Sequence, residues 1–511
     1  SRLGDLTKHT NKALVRIGGR PAISHIIESY PRQSRFVVTL GYYGEHVRDF
    51  LTLAYPDRRI EYVSVDPYVG PGSSLGHSML AARKQLQCPF IYHACDTLVS
   101  DTIPVPNRNW IGVIRGDDTS QYSSWKLQEG KLQFQEKGAI GSDFIHIGLI
   151  GVKDYATFWN TLRTLRDSDP EDAALNDCRV LAHMIRTGAK ADTVELPSWR
   201  DIGNVAALQQ ARERAGKSAE VLDKAGEAIF LFEKYVIKFF ADERVVADRA
   251  RRGRMLKGFV PKIEGNRGNF YRYTFVPGAT YPDVVNPKDF SRFLLWTQER
   301  FWKPPARKMQ EDSFARICRS FYEDKTRKRV EKFFLDSGLP DSRHTINGES
   351  VPPLYELLAR VDFDALSHGL QSRFHGDFIL DNVIRTKSGY SLVDWRQDFG
   401  GELSVGDRYY DLAKLNHNLT INHAVINQNL FTVKARGNTV TCDIMRPNLL
   451  VECQQVFLDF LRTHGYDERR VELLTAIIWL NMAPLHHHPF NLFLYYFGKV
   501  SLWRALQKNT Q

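Results

Sequence analysis

The sequence predicts two domains of different class. An α/β domain, with a mostly parallel sheet and helices on both faces, is expected over residues 1–217, and a two-lobed α+β domain over residues 218–511. Three observations carry this expectation. Strand-like and helix-like segments alternate between residues 36 and 196, the pattern that crossover connections impose on a parallel sheet. The run Tyr235-Val236-Ile237-Lys238-Phe239-Phe240 sets a single lysine in an apolar β-type stretch, ahead of a charged helical pattern over residues 241–257. Finally, His375-Gly376-Asp377 is followed by Asn382, a hairpin-like segment and Val393-Asp394-Trp395.

Length and composition agree with two cores. At 511 residues two or more domains are expected, each half being long enough to bury its own interior. No apolar run reaches the ~18 residues of a membrane span, and nothing has the form of a secretory signal. Six cysteines (Cys88, Cys95, Cys178, Cys318, Cys442 and Cys453) show no CxxC spacing, which argues against a disulfide framework or a zinc site and for a reducing, cytoplasmic setting. The net charge of +10 comes from basic runs near residues 244–272 and 325–332. No nucleic-acid-binding motif accompanies them, so solvated helix faces and phosphate pockets are expected rather than a nucleic-acid partner. His486-His487-His488 is expected inside one helix, where three consecutive side chains cannot face one ion. The aromatic-rich stretch after it, residues 489–503, is expected to be a core helix, with its rings available to wall an acceptor pocket.

In the N-terminal part, a polar segment containing Arg2 and Lys12 leads into an apolar stretch. Residues 36–41 form a β-run, followed by an amphipathic stretch over residues 45–54. Gly70-Pro71-Gly72-Ser73-Ser74-Leu75-Gly76 is a Gly/Ser loop before a helical pattern over residues 77–87, and Gly72 and Ser73 are its candidate nucleotide-binding positions. Residues 89–94 read as a buried strand that ends on Cys95-Asp96. Trp199-Arg200-Asp201-Ile202-Gly203 follows a strand-like segment over residues 191–196. In α/β sheets ligands gather at the carboxyl ends of strands, where Asp96 falls. Asp96 and Asp201 together suit magnesium carrying a nucleoside triphosphate. Arg2 and Lys12 supply positive charge for the α-phosphate and the departing pyrophosphate.

In the C-terminal part, strand-like residues 228–232 precede the Lys238 run, and an apolar strand is where an ammonium can face α- and β-phosphates. Glu243 and Asp248, in the following helix, are the two candidates to pair with Lys238. Residues 271–278 read as a strand ending in a turn, the connection against which adenine would lie. Asp377, Asn382 and Asp394 then complete an inventory that phosphoryl transfer requires: one carboxylate to orient the acceptor hydroxyl and take its proton, and an amide and a second carboxylate to hold magnesium against the phosphates. The hairpin over residues 383–392, turning at Lys387-Ser388-Gly389, is what brings Asn382 and Asp394 together.

These residues resemble the aminoglycoside phosphotransferase and choline kinase family of small-molecule kinases over roughly residues 218–511. The resemblance includes the later Gly406-Asp407-Arg408-Tyr409-Tyr410-Asp411-Leu412-Ala413. It implies a bilobal fold with lobes of about 218–280 and 281–511, Asp377 as catalytic base, and Asn382 with Asp394 as metal ligands. No GxGxxG precedes Lys238, only Gly226, which sets the chain apart from protein kinases. Residues 1–215 resemble the sugar-phosphate nucleotidyltransferases, including the phosphocholine cytidylyltransferases, which implies a Rossmann-like nucleotidyltransferase fold. Arg2 and Lys12 match basic positions of that family's entry signature, and Asp96 and Asp201 match its metal-binding aspartates. Lys137 of Glu136-Lys137 sits where the family holds the acceptor phosphate, with Gly138 in place of proline. Residues 144–148 fit the strand that closes over the acceptor. The signature opens with a strand and a Gly-rich turn ahead of Ser-Arg, whereas this sequence begins at Ser1; those pieces are expected upstream. Asn11 stands where sugar-specific members carry proline, closer to the phosphocholine branch.

Together these readings predict a bifunctional enzyme. The C-terminal domain would phosphorylate a sugar or small alcohol with ATP and Mg²⁺. The N-terminal domain would then transfer a nucleoside monophosphate from a second NTP (CTP, UTP or GTP) to that phosphate. The product would be an NDP-sugar or CDP-alcohol, a donor for surface polysaccharide or lipid head groups. The alternative is a chain in which one half is catalytic and the other binds a ligand or acts as a scaffold. The domain boundary is expected near residues 215–221, and the oligomeric state is left open.

Overall fold

The structure is a computed structural model that describes residues 3–116, 119–214 and 226–508. Arg2 and the expected boundary at residues 215–221 lie outside the described residues. The chain divides into two compact units, one of residues 1–246 and 264–273 and one of residues 247–263 and 274–511. Among the described residues no helix is long and apolar enough to cross a membrane.

In the first unit, β1 (Arg35–Leu40) leads into α1 (Gly44–Ala54) and returns as β2 (Arg59–Ser64), parallel to β1. Helix α1 buries Val47, Phe50, Leu51 and Ala54, the one-sided spacing that makes a helix amphipathic. Then come α2 (Leu75–Ala81), β3 (Phe90–His93), β4 (Thr97–Leu98), β5 (Trp110–Arg115), β6 (Ser124–Gln128), β7 (Lys131–Gln135) and β8 (Phe144–Val152). They are followed by α3 (Tyr155–Ser168), α4 (Asp177–Arg186), β9 (Asp192–Glu195), β10 (Arg200–Asp201) and α5 (Val205–Arg214). The main sheet has the order β9-β5-β8-β6-β7, with β3 also on β8.

The expectation of a mostly parallel sheet is corrected here: the unit is a mixed α/β fold. Strand β8 runs antiparallel to β3, β5 and β6, and within this sheet β9 on β5 is the parallel pair. The cause is the β6–β7 hairpin. Its two turn residues, Glu129 and Gly130, both have positive φ (50° and 73°), as a tight hairpin turn requires. The chain thus reverses by a short turn rather than by a helical crossover, and short turns give antiparallel neighbours.

A second sheet of the first unit is built from β11 (Glu227–Leu231), β12 (Tyr235–Phe240), β13 (Ile263–Arg267) and β14 (Phe270–Thr274), in the order β11-β12-β14-β13. Between β12 and β13 in sequence runs α6 (Glu243–Met255), within which the division between units falls. The sheet packs on α1: Phe50 meets Phe230 at 5.2 Å and Phe270 at 5.9 Å between ring centroids, and His46 meets Phe239 at 5.3 Å. The strands expected to form the smaller C-terminal lobe therefore share a core with residues 36–62.

The second unit is α+β and mostly helical. Its elements include α7 (Pro287–Trp296), α8 (Glu311–Arg319), α9 (Lys325–Ser337) and the antiparallel hairpin β15 (Val383–Thr386) and β16 (Gly389–Leu392). After them come α10 (Arg408–Thr420), α11 (Asn448–Thr463), α12 (Glu468–Met482) and α13 (Phe490–Gln507). Helix α10 is buried nearly all round, from Tyr409 to Thr420 with Lys414 intermediate, which makes it the central post of the unit. Helix α13 buries Phe493, Leu494, Tyr495 and Tyr496, as a core helix should. The expectation that His486-His487-His488 lies within a helix is overturned: all three residues lie in the turn before α13.

Candidate active sites

A cavity of about 1550 Å³ in the first unit is lined by Lys12, Asp96, Lys137 and Asp201. Local geometry explains why Asp96 reaches it. Strand β8 carries a bulge at Gly148, where φ is +74° and the register with β5 shifts. A side chain there would meet Ala94 and Thr97 at 2.9 and 3.1 Å, so glycine lets the turn after β3 approach. The Ala94 N–H donates to the Gly148 carbonyl at 2.9 Å and that of Thr97 to Ala94 at 3.1 Å, which presents Asp96 at the turn. The pairing of β10 with β4 sets Asp201 opposite Thr97, and the Ile202 N–H donates to the Asp96 carbonyl at 3.1 Å. The two predicted carboxylates are thus joined by one short ladder.

Lys12 Nζ lies 2.8 Å from Asp96 Oδ2. The Cys95 sulfur, and with it the Asp96 carboxylate, hold the Lys12 ammonium well above the ordinary lysine range against the opposing effect of burial. Burial in turn pushes the Cys95 thiol up, as expected of a small packed residue rather than a nucleophile. Asn11 caps the short turn Lys12–Leu14: its side chain accepts from the Ala13 N–H at 2.9 Å and donates to the Tyr42 carbonyl at 2.5 Å. Asp201 accepts from Tyr122 Oη at 3.0 Å, from the Gly203 N–H at 2.9 Å and from Asn204 at 3.3 Å.

Other predicted positions fare differently. Lys137 is exposed on the cavity wall, next to Glu136, which pairs with Arg179 at 2.8 Å. Gly72 and Ser73 lie in the turn before α2, but the wall there is made by Tyr68, Val69 and Leu75. Sequence reasoning placed His146 in the acceptor-side strand but gave it no ligand role, and gave none to Asp177 and Cys178; all three line the same cavity. His146 Nε2 lies 2.9 Å from Asp177 Oδ2, and ligand atoms of all three fall within 4.8 Å of one another, a set able to hold a metal ion. Asp177 opens a helix capped by Asn176, which was the available signal. Lys238, on β12, is 4% exposed and belongs to the first unit.

The second unit gathers Asp377, Asn382 and Asp394. Asp411 organises the loop that carries them: its carboxylate accepts from the N–H groups of His375 and Gly376, both at 2.8 Å, and from Trp302 Nε1 at 3.0 Å. Burial lifts Asp411 to about 6 despite these bonds. Burial also lowers His375 to about 4, so its ring is neutral and Nε2–H donates to the Val393 carbonyl at 2.9 Å. Arg252, lowered to about 9 by burial, donates to the carbonyls of Phe374 at 2.6 Å and Leu403 at 3.0 Å, and to that of Arg396.

The β15–β16 hairpin joins Asn382 and Val393 through a 2.8 Å backbone hydrogen bond. Asn382 Nδ2 donates to the Asp377 carbonyl at 2.9 Å and to Asp377 Oδ2 at 3.1 Å. Lys414 Nζ, on α10, lies 2.7 Å from Asp377 Oδ1. Burial raises the Asp377 carboxyl, but Lys414 outweighs it and holds the group at about 2. Asp394, with φ of 62°, pairs with Arg249 of α6 at 2.8 Å.

No protein-family model matches the chain. Over 213 residues it is 25% identical to the bifunctional protein GlmU of Methanococcus maripaludis, covering 40% of this chain and 49% of that protein. The match to GlmU of Methanococcus vannielii is 23% over 216 residues, with the same coverage. The chain therefore spans about half the length of the curated relatives it matches. Among solved structures, a CTP:phosphocholine cytidylyltransferase from Streptococcus pneumoniae is similar at 18% identity and TM-score 0.35, covering 42% of this chain and 93% of that one. An inositol-1-phosphate CTP transferase from T. maritima is similar at 18% identity and TM-score 0.33, covering 44% and 93%. The sequence similarity and the mixed α/β sheet support a nucleotidyltransferase-like fold for the N-terminal part of the chain.

Proposed function

We propose that the chain activates a sugar or small alcohol in two steps. In the first, an acceptor hydroxyl attacks the γ-phosphorus of ATP, ADP leaves, and the hydroxyl proton passes to Asp377. In the second, an oxygen of the new phosphate attacks the α-phosphorus of a CTP, UTP or GTP, and pyrophosphate leaves. The reading rests most on one observation, the position of Asp96 in the turn entering β4, joined by that strand's ladder to Asp201 of β10 and paired with Lys12.

Lys12 would stabilise charge on the α-phosphate and the leaving pyrophosphate, and Lys137 would hold the acceptor phosphate. A phosphate oxygen is already a nucleophile, so this step needs orientation and charge stabilisation rather than a base. Asp96 with Asp201, and Asn382 with Asp394, offer oxygen donors, the set a hard divalent cation prefers. Bound magnesium would neutralise charge on the phosphates of each nucleotide. For the first step, support comes from Asp377 being held ionised by Lys414 and oriented by Asn382. An ionised carboxylate can accept the proton of a hydroxyl.

The test is mass-spectrometric product profiling with magnesium, ATP, CTP, UTP and GTP and a pool of sugars, polyols and amino-alcohols. Wild type should yield a phosphorylated compound and its nucleotide conjugate. Asp377→Asn should abolish the phosphate ester, and with it the conjugate, until the phosphate ester is supplied. Asp96→Asn should accumulate the phosphate ester without conjugate. A wild-type chain that makes neither product sinks the proposal.

A further inference from the structure

The second unit holds a knot of positive charge that the proposed chemistry leaves unused. Helix α9 places Lys325 and Arg329 one turn apart on one face. Lys325 Nζ sits 3.5 Å from the ring centroid of Phe321 and 5.5 Å from that of Tyr410. The Arg396 guanidinium lies 5.2 Å from the same Phe321 ring. Phe321 and Tyr410 meet edge to face at 4.9 Å, so two aromatic rings gather the cations. Tyr410 stands one turn before Lys414 on α10, and Lys414 holds Asp377. The cluster is therefore continuous with the proposed catalytic carboxylate.

Among the described residues none of Lys325, Arg329 and Arg396 forms an ion pair within 4.0 Å, and Arg396 Nε is buried without a hydrogen-bond partner. Burial first, then the neighbouring Arg396, Arg329 and Lys414, push the Lys325 ammonium far down; Asp398 opposes them. Like charges gathered with no carboxylate in ion-pair contact oppose folding. An anion bound among them would reverse the penalty, and a paired guanidinium and ammonium suit a phosphate or carboxylate.

We propose that Lys325, Arg329 and Arg396 recognise an anionic group carried by the acceptor of the C-terminal site, so that the acceptor is a hydroxylated compound already bearing a phosphate or a carboxylate. This rests on the phosphoryl-transfer reading above. The anion belongs to the acceptor because the cluster reaches the site through Lys414 and Asp377, the residue assigned to the acceptor hydroxyl, whereas Asp394 is engaged by Arg249.

The test is calorimetric titration of the full chain with inorganic phosphate and, separately, acetate, each with and without a saturating magnesium complex of a non-hydrolysable ATP analogue. Phosphate or acetate should bind in both conditions, the tighter of the two naming the group. Arg329→Gln and Arg396→Gln should each weaken that binding at least tenfold while analogue affinity stays within twofold. Wild-type anion affinity in both variants, displacement of the anion by the analogue, or no anion binding would each overturn the assignment. ATP consumption measured alongside separates the two readings. Anion binding without transfer to any acceptor removes the kinase and leaves the anion site. Transfer to neutral alcohols without anion binding removes the site and leaves the kinase.

Discussion

Lys414 Nζ stands 2.7 Å from Asp377 Oδ1, an ion pair between residues 37 apart in sequence that ties the central helix of the second unit to the HGD loop. Asp377 titrates at about 2 in the fold against an ordinary value of 3.8. A depressed carboxylate contributes stability that is present above the unfolded value and lost as pH falls through the folded one. Wild type should therefore lose stability between pH 4 and pH 2. Lys414→Met removes the main group that offsets burial, raises Asp377 and shrinks that acid-side loss. Because the Asp377 side chain is 41% exposed, water screens the pair, and the variant should cost about 1–2 kcal/mol at pH 7. Urea unfolding from pH 2 to pH 7 measures both effects; a wild-type profile in the variant would show that Lys414 does not set the charge on Asp377.

Asp411 makes the opposite prediction. Its folded value near 6 exceeds the ordinary 3.8, so its contribution is fully present below pH 4 and lost as pH rises through 6. From the size of the shift this is worth about 3 kcal/mol. Asp411→Asn should abolish that pH dependence. It should also lower stability by about 1–3 kcal/mol, because one amide oxygen cannot serve the N–H groups of His375, Gly376 and Trp302, and the new NH₂ faces donors. Thermal unfolding of both proteins at pH 4 and pH 7 decides the matter. A variant as stable as wild type would show that the loop does not need its anchor.

Features carried by local periodicity were legible in the sequence. The α1 stripe, the apolar β12 run and the hairpin joining Asn382 to Asp394 all stand as read. The β6–β7 hairpin was not legible. Its strands are short and largely polar, Ser124–Gln128 and Lys131–Gln135, and the turn is Glu-Gly rather than Asn-Gly; missing it made the sheet look parallel. Lys414 and the His146–Asp177 pair were hidden for another reason. Their partners lie more than 30 residues away, and packing, rather than spacing, brings them together.

Gly151 offers a test of the sheet that carries Asp96. It lies opposite Trp110 on β5, and a Cβ at this position would overlap the buried indole. Trp110 is fully buried and cannot move without opening the core. Gly151→Ala should cost about 1–3 kcal/mol or more, while Gly130→Ala, in the open β6–β7 turn, should show mainly the smaller backbone penalty of its positive φ. Comparing the melting temperatures of the two variants checks this; equal losses would mean that the β5–β8 pairing is not the rigid part of the unit.

Asn11 and Lys12 separate structure from chemistry at the N-terminal site. Asn11→Ala removes the cap on the Lys12–Leu14 turn and the bond to Tyr42, which should cost about 1 kcal/mol. Losing the cap loosens Lys12 but leaves its charge, so nucleotidyl transfer should fall only a few-fold. Lys12→Met keeps the apolar stem and removes the ammonium 2.8 Å from Asp96. Without it, charge on the α-phosphate and the leaving pyrophosphate goes unanswered, and transfer should fall by about two orders of magnitude while ATP-dependent phosphorylation stays unchanged. Rates for both half-reactions, measured on both variants, distinguish the roles. A Lys12→Met enzyme that transfers normally would remove Lys12 from the chemistry and leave it as a partner of Asp96 alone.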